Sequence, residues 1–367
     1  MGTCRPYPSG HSGGAQRSCA PPTQECTDAA SGHAVGTRHA VPLPLCRAIL
    51  RANHQGARDS MQPDELKRYL RGVLAFPITP FKDDLSVDYD ALQRNIEFML
   101  ARGIRAIAVC GGTGELYSLD QNEITACYRA AVEVARGRAA VVAGVGFNGR
   151  IGAALAEAAE QAGADGILVL PAYYGRAEDE GFVAYYRQIA QATGLGVLPY
   201  ARDAALLSPN VVARLAEVPN IVAFKDGQGD LRLFTRIRNH VESLAPGRLV
   251  WMAGVGDDAV DAYFAAGAEG FTSSIANFMP AVALELYEAA SSGDFARVRR
   301  LIAERVLAFY NLRIRRRGYE VAVVKAAMDL AGLRGGRVRP PLVDLSADER
   351  EMLRGIMERA GALAAAR

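Results

Sequence analysis

From residue 72 onward the chain alternates two hydrophobic rhythms. Four or five consecutive apolar, β-prone positions lead into a glycine-rich or polar loop, and then into a stretch whose apolar positions recur at helical spacing. Short apolar runs fit strands covered on both faces, and the amphipathic helices between them supply the cover. The runs fall at 73–77, 106–110, 140–144, 166–170, 196–200, 221–225, 249–253 and 270–273, with helices expected at 88–102, 120–135, 150–162, 179–193, 208–217, 230–241 and 257–266. Several of these helices open on Asp or Ser, whose side chains accept from the first free backbone amides. Glycines at 103, 163 and 267 follow helix ends, where a left-handed residue stops the helix.

Eight strand–helix units predict an α/β fold, a (β/α)8 TIM barrel. The alternative is a doubly wound open sheet, but its dinucleotide fingerprint is absent. Gly144-Val-Gly146 follows a strand, yet the next glycine stands at 149, and no acidic residue stands in the expected place about 20 positions on. After Pro280 the helical pattern continues to the terminus, broken by the Gly-, Arg- and Pro-rich stretch 334–341. The expected division is a leader over 1–60, a barrel over 61–293 and a C-terminal helical extension over 294–367.

The leader has neither periodicity and is crowded with turn formers, which predicts disorder. Met61 opens Met-Gln-Pro-Asp-Glu-Leu, which reads like a natural start, so an upstream start assigned in error is one expectation for the first 60 residues. The run Arg313-Ile-Arg-Arg-Arg317 has no interleaved aromatics and no wider basic patch, so it reads as a solvated or subunit-facing helix surface.

Composition narrows the function classes. Half of the 367 residues are apolar, and 42 basic against 40 acidic residues leave a formal charge of +2. That balance gives no field for nucleic acid or a membrane surface. No run approaches the roughly 18 apolar residues of a membrane span, and no secretory signal pattern opens the chain, so a cytoplasmic location is expected. Cys4, Cys19, Cys26 and Cys46 match no zinc spacing, while Cys110 and Cys127 sit in apolar or helical contexts, so no disulfide framework is expected.

A TIM barrel carries its chemistry where the strands stop. That filter selects Thr79, the loop 111–115, residues 171–174, Tyr200 to Asp203, Lys225, Gly254 and residues 272–274. Lys225 closes an apolar run. Desolvation there would favour the free amine, a nucleophile toward carbonyls, although a lysine at a strand end can also snorkel to water. Tyr200, at the end of the adjacent strand, could relay a proton to a group on Lys225 or stand as an ordinary strand-end aromatic. Thr113 could hydrogen-bond and orient Tyr200. Gly112 and its neighbours offer backbone amides suited to a carboxylate. Arg202 could pair with a substrate carboxylate or neutralise Asp203 or a helix end. Four of the five histidines lie in the leader, and no metal set emerges. Lysine and tyrosine without histidine suit imine formation.

Six motifs carry a resemblance. They are Phe76-Pro-Ile-Thr-Pro80, Gly111-Gly-Thr-Gly-Glu115, Phe224-Lys-Asp-Gly-Gln-Gly-Asp230, Thr272-Ser-Ser-Ile-Ala-Asn-Phe-Met-Pro280, Gly318-Tyr-Glu-Val-Ala-Val-Val-Lys325 and Val338-Arg-Pro-Pro-Leu342. Over 65–365 the chain resembles the dihydrodipicolinate synthase / N-acetylneuraminate lyase superfamily of Schiff-base barrels. The Lys-Asp-Gly-x-Gly-Asp form and the two C-terminal motifs are similar to its 5-dehydro-4-deoxyglucarate dehydratase branch.

The resemblance implies that Lys225 forms the imine and Tyr200 relays protons. Gly112 and Thr113 would hold the carboxylate beside the reacting carbonyl, and Ser273 and Ser274 would meet the substrate. It implies no cofactor, a sugar diacid or 2-keto acid as the small-molecule substrate, and a homo-oligomer, dimer or tetramer. The implied reaction is dehydration with decarboxylation. The alternatives are another 2-keto acid aldolase or dehydratase of the superfamily, or a non-catalytic keto-acid-binding protein. Three positions depart from the branch pattern: Ala201 in place of Asn, Leu116-Tyr117 in place of two aromatics, and Gly254-Val-Gly-Asp-Asp258 after the seventh strand.

Overall fold

The computed structural model describes residues 61–172 and 175–363. The leader 1–60, with four of the cysteines, and Tyr173 and Tyr174 lie outside the described residues. Every expected strand forms, as β1 (Val73–Ala75), β2 (Ala106–Val109), β3 (Ala140–Val145), β4 (Gly166–Val169), β5 (Gly196–Ala201), β6 (Ala223–Asp226), β7 (Val250–Ala253) and β8 (Gly270–Ser273). They pair in parallel in sequence order, and β1 closes on β8, giving a barrel without edges. All strand residues are buried, as continuous apolar runs require when helices cover the outside and side chains fill the inside.

Two strand ends differ from expectation for local reasons. β2 stops at Val109 because Cys110 takes a left-handed φ of 54° and turns the chain into the glycine loop. β6 starts late because Ile221 makes only an isolated bridge to Val197, and it runs on to include Asp226. Register sets Tyr200 directly opposite Lys225.

The barrel helices are α1 (Pro63–Leu70), α2 (Tyr89–Leu100), α3 (Gln121–Ala135), α4 (Gly149–Ala162), α5 (Asp179–Gln191), α6 (Pro209–Ala216), α7 (Leu231–Leu244), α8 (Val260–Ala265) and α9 (Pro280–Ser291). α1 lies across the amino ends of the strands, with Leu66 fully buried. A Cβ on Gly166 or Gly196 would come within 2.4 Å or 2.8 Å of its methyl carbon. Asp88, Asp120, Ser208 and Asp230 cap their helices as expected, each accepting from a first-turn amide. Gly163 ends α4 at φ 86°. Asp179 and Asp257 are exceptions: Asp179 lies inside α5 behind Glu178, which makes no cap bond, and the segment of Asp257 opens as a short 3-10 turn with its carboxylate pointing into the protein.

Beyond the barrel come α10 (Phe295–Leu301), a π-helical turn (Ile302–Val306), α11 (Leu307–Arg313), α12 (Tyr319–Leu330) and α13 (Ala347–Arg359). α12 is buried almost all round, from Tyr319 to Met328. The segment after it returns over the barrel mouth. Asn95 of α2 donates to the Arg334 carbonyl at 2.7 Å, and Arg339 binds the Leu85 and Ser118 carbonyls, both at 2.7 Å, and pairs with Glu123. Cys110 and Cys127 are buried free thiols. No described helix is long and apolar enough to cross a membrane.

Candidate active site

Lys225 sits third in β6, only 2% exposed, so the snorkelling alternative fails. Its Nζ lies 3.4 Å from the Gly254 carbonyl oxygen and 3.1 Å from the centroid of the Tyr200 ring. No carboxylate forms an ion pair with this amine among the described residues. Burial holds its pKa well below the usual lysine range, and the Arg202 charge pushes the same way against a weaker pull from Asp226. An amine so placed is nucleophilic near neutral pH.

The glycines around it have a steric reason. A Cβ on Gly254 would come within 2.8 Å of the Lys225 Nζ, and one on Gly227 within 2.6 Å of the Tyr200 hydroxyl. Asp226, although next to the lysine, turns outward. Its carboxylate accepts from the Gln228 amide at 2.8 Å and the Tyr263 hydroxyl at 3.1 Å, which fixes the loop after β6.

The Tyr200 hydroxyl lies 3.5 Å from the Gly254 carbonyl oxygen. Burial pushes its pKa up, while the charge of the nearby Arg202 guanidinium pulls down. The expected bond from Thr113 to Tyr200 does not form among the described contacts; the Tyr200 hydroxyl has the Gly254 carbonyl instead. Arg202 pairs with Asp203 at 3.4 Å.

Gly112 and Thr113 line the same cavity as Lys225, a space of about 650 Å³ that also includes Tyr200, Arg202, Ser273 and Ser274. The loop carrying Gly112 is held from two sides. Thr79 donates to the Gly114 carbonyl at 2.9 Å. Glu115, at a left-handed φ of 60°, buries its carboxylate 2.6 Å from the Nζ of Lys325 on α12. Lys325 also donates to the Arg337 carbonyl at 2.7 Å and stands 4.1 Å over the Phe81 ring. Cys110, Glu115 and Asp203 all hold left-handed φ at the barrel mouth, where such cost is retained only if packing enforces it.

On the opposite wall, Ser273 is fully buried and its Oγ accepts from the Ala276 amide at 3.1 Å. Asp257, fully buried, accepts from the Ser274 amide at 3.1 Å and from the Tyr310 hydroxyl at 2.8 Å. Arg313 of α11 donates to the Ser274 Oγ at 2.8 Å, with its guanidinium 4.4 Å over the Tyr310 ring. Arg313 therefore lines the cavity, which corrects the reading of the 313–317 run at that one residue, while Ile314 to Arg317 are exposed. Glu320 and Val321 of α12 line it as well.

All seven expected site residues thus meet in one cavity. Asp257, Tyr310, Arg313 and the Glu115–Lys325 pair were not anticipated. One signal was available: Lys325 is a lone charge inside the apolar run 321–328, which implies a buried partner. For Arg313 no local signal exists.

Comparison with known proteins agrees with this geometry. The model of the Dihydrodipicolinate synthetase family matches residues 69–360. A protein of Rhizobium rhizogenes named "Probable 5-dehydro-4-deoxyglucarate dehydratase" is 39% identical over 306 residues, covering 82% of this chain and 100% of the relative. One of the same name from Methylobacterium radiotolerans is 40% identical, covering 81% and 98%. Among solved structures, a dihydrodipicolinate synthase from Bacillus clausii aligns with TM-score 0.75 at 31% identity, covering 80% of this chain and 98% of that one. The Acinetobacter baumannii synthase complexed with pyruvate aligns with TM-score 0.74 at 29% identity, covering 80% and 100%. A closed parallel barrel with a buried lysine at its mouth, matched by the family model along almost all of the described residues, shows that this chain belongs to the Dihydrodipicolinate synthetase family.

Proposed function

We propose that this chain is a lyase of the 5-dehydro-4-deoxyglucarate dehydratase type, converting 5-dehydro-4-deoxy-D-glucarate to 2,5-dioxopentanoate, carbon dioxide and water. The observation that carries the reading is the uncompensated, buried Lys225 amine against Tyr200, in a cavity shared with Gly112 and Thr113. The relatives' printed names supply the substrate.

Lys225 Nζ attacks the C5 ketone, and loss of water gives a protonated imine. The imine draws electrons from C4, so a C4 proton leaves and an enamine forms. The enamine pair returns to expel the C3 hydroxyl as water, leaving an imine conjugated to a C4–C3 double bond. The C1–C2 bond then breaks, its electron pair flows toward the imine nitrogen, and the distal carboxylate departs as carbon dioxide. The C2 enol becomes the aldehyde, protonation restores the imine, and hydrolysis frees Lys225.

Tyr200 moves protons during imine formation and hydrolysis, and the Arg202 charge beside it opposes part of the rise that burial imposes on the phenol's pKa. Gly112 and Thr113 receive the carboxylate beside the imine, while Arg202, Ser273 and Ser274 contact the rest of the substrate. No cofactor takes part, since the Lys225 imine serves as the electron sink. The working assembly is a homo-oligomer, dimer or tetramer, which light scattering would check. The test of function is incubation with 5-dehydro-4-deoxyglucarate. Equimolar carbon dioxide and 2,5-dioxopentanoate support it, whereas cleavage to pyruvate and an aldehyde would assign the chain to an aldolase reaction instead.

A further inference from the structure

The cavity carries a second guanidinium that the chemistry at Lys225 does not use. Arg313 comes from the C-terminal extension, stacks on Tyr310 at 4.4 Å and spends one donor on Ser274 at 2.8 Å. Its Nε is buried without a hydrogen-bond partner, and it forms no ion pair with a described carboxylate. The platform under it is fixed, because the Tyr310 hydroxyl and the Ser274 amide are both held by buried Asp257. A guanidinium stacked on an aromatic ring and bonded at one edge keeps its remaining donors pre-organised for a planar anion.

Arg202, the other guanidinium of the cavity, is paired with Asp203 and carries its charge close to the Tyr200 phenol and the reacting amine. Gly112 and Thr113 lie at the loop after β2, and Arg313 over the residues that follow β8. The geometry points to Arg313 as the subsite for the second carboxylate of a keto diacid, the one farther from the carbonyl that Lys225 attacks. This rests on the reading of the cavity as the site of a six-carbon keto diacid. A monocarboxylic keto acid would leave the remaining donors of Arg313 without a substrate carboxylate, so the extension, and not the barrel alone, would select diacids.

Borohydride trapping on Lys225 tests this without turnover. The probes are 2-oxoadipate, a six-carbon keto diacid, and 2-oxohexanoate, its monoacid of equal length. The wild-type protein is expected to be half-trapped at about 10- to 100-fold lower concentration of the diacid, the range of one charge-assisted pair. In Arg313→Gln the ratio should fall to near one, and Arg313→Lys should give an intermediate ratio. Because each ratio is internal to one preparation, a lowered active fraction leaves it unchanged. An unaltered ratio in Arg313→Gln overturns the proposal, as does a ratio lost only in Arg202→Gln. Failure of the wild-type protein to turn over 5-dehydro-4-deoxyglucarate while the Arg313-dependent ratio persists would instead count against the proposed reaction.

Discussion

Lys225 and Lys325 are both almost completely buried lysines, at 2% and 1% exposure, and burial lowers the pKa of each. What separates them is the partner. Lys325 has the Glu115 carboxylate at 2.6 Å and the Arg337 carbonyl at 2.7 Å. Lys225 has one carbonyl at 3.4 Å and the face of a tyrosine. Burial alone therefore does not make a nucleophile. The amine must also be left unpaired, and that leaves a cost in the fold which function retains.

Exchanging each lysine for methionine should break the comparison in opposite directions. Lys225→Met removes the nucleophile, so trapping vanishes and turnover falls by more than about 10³-fold. The same change should raise Tm. The sign follows from the depressed pKa: the unfolded chain binds a proton that the folded amine resists, so the native lysine costs stability until the pH rises toward its unfolded value. Lys325→Met does the reverse, leaving a buried carboxylate unpaired at a cost of about 3–5 kcal/mol, read as a fall in Tm. Removing both charges with Glu115→Leu and Lys325→Met should recover most of that loss, because burial disfavours both charged forms at neutral pH.

Tyr200→Phe keeps the ring under Lys225 but deletes the proton carrier, and should lower kcat by about 10²- to 10⁴-fold with little change in Tm. The smallest effect is on pH. Arg202→Gln removes a positive charge that helps lower the Lys225 pKa, so the acidic limb of the trapping rate should move to higher pH. An acidic limb that stays in place would show that desolvation alone sets the amine.

The barrel was legible because its strands are short continuous apolar runs and its helices carry their own caps, both properties of local sequence. Lys225, Tyr200 and the glycine loop followed, since barrel topology fixes where strand ends lie. The wall made by Tyr310 and Arg313 was not legible. Nothing in the 313–317 run distinguishes the one arginine that turns inward from its neighbours, because its partner, the Ser274 hydroxyl, stands 39 positions away. The Thr113–Tyr200 bond failed for a related reason: the phenol faces the Gly254 carbonyl, 54 positions away, and sequence alone does not rank such partners.

The most direct test of the central claim is borohydride reduction in the presence of pyruvate, with the modified peptide mapped by mass. The account predicts an adduct on Lys225 and none on Lys325. An adduct on Lys325, or no adduct at all, would contradict it.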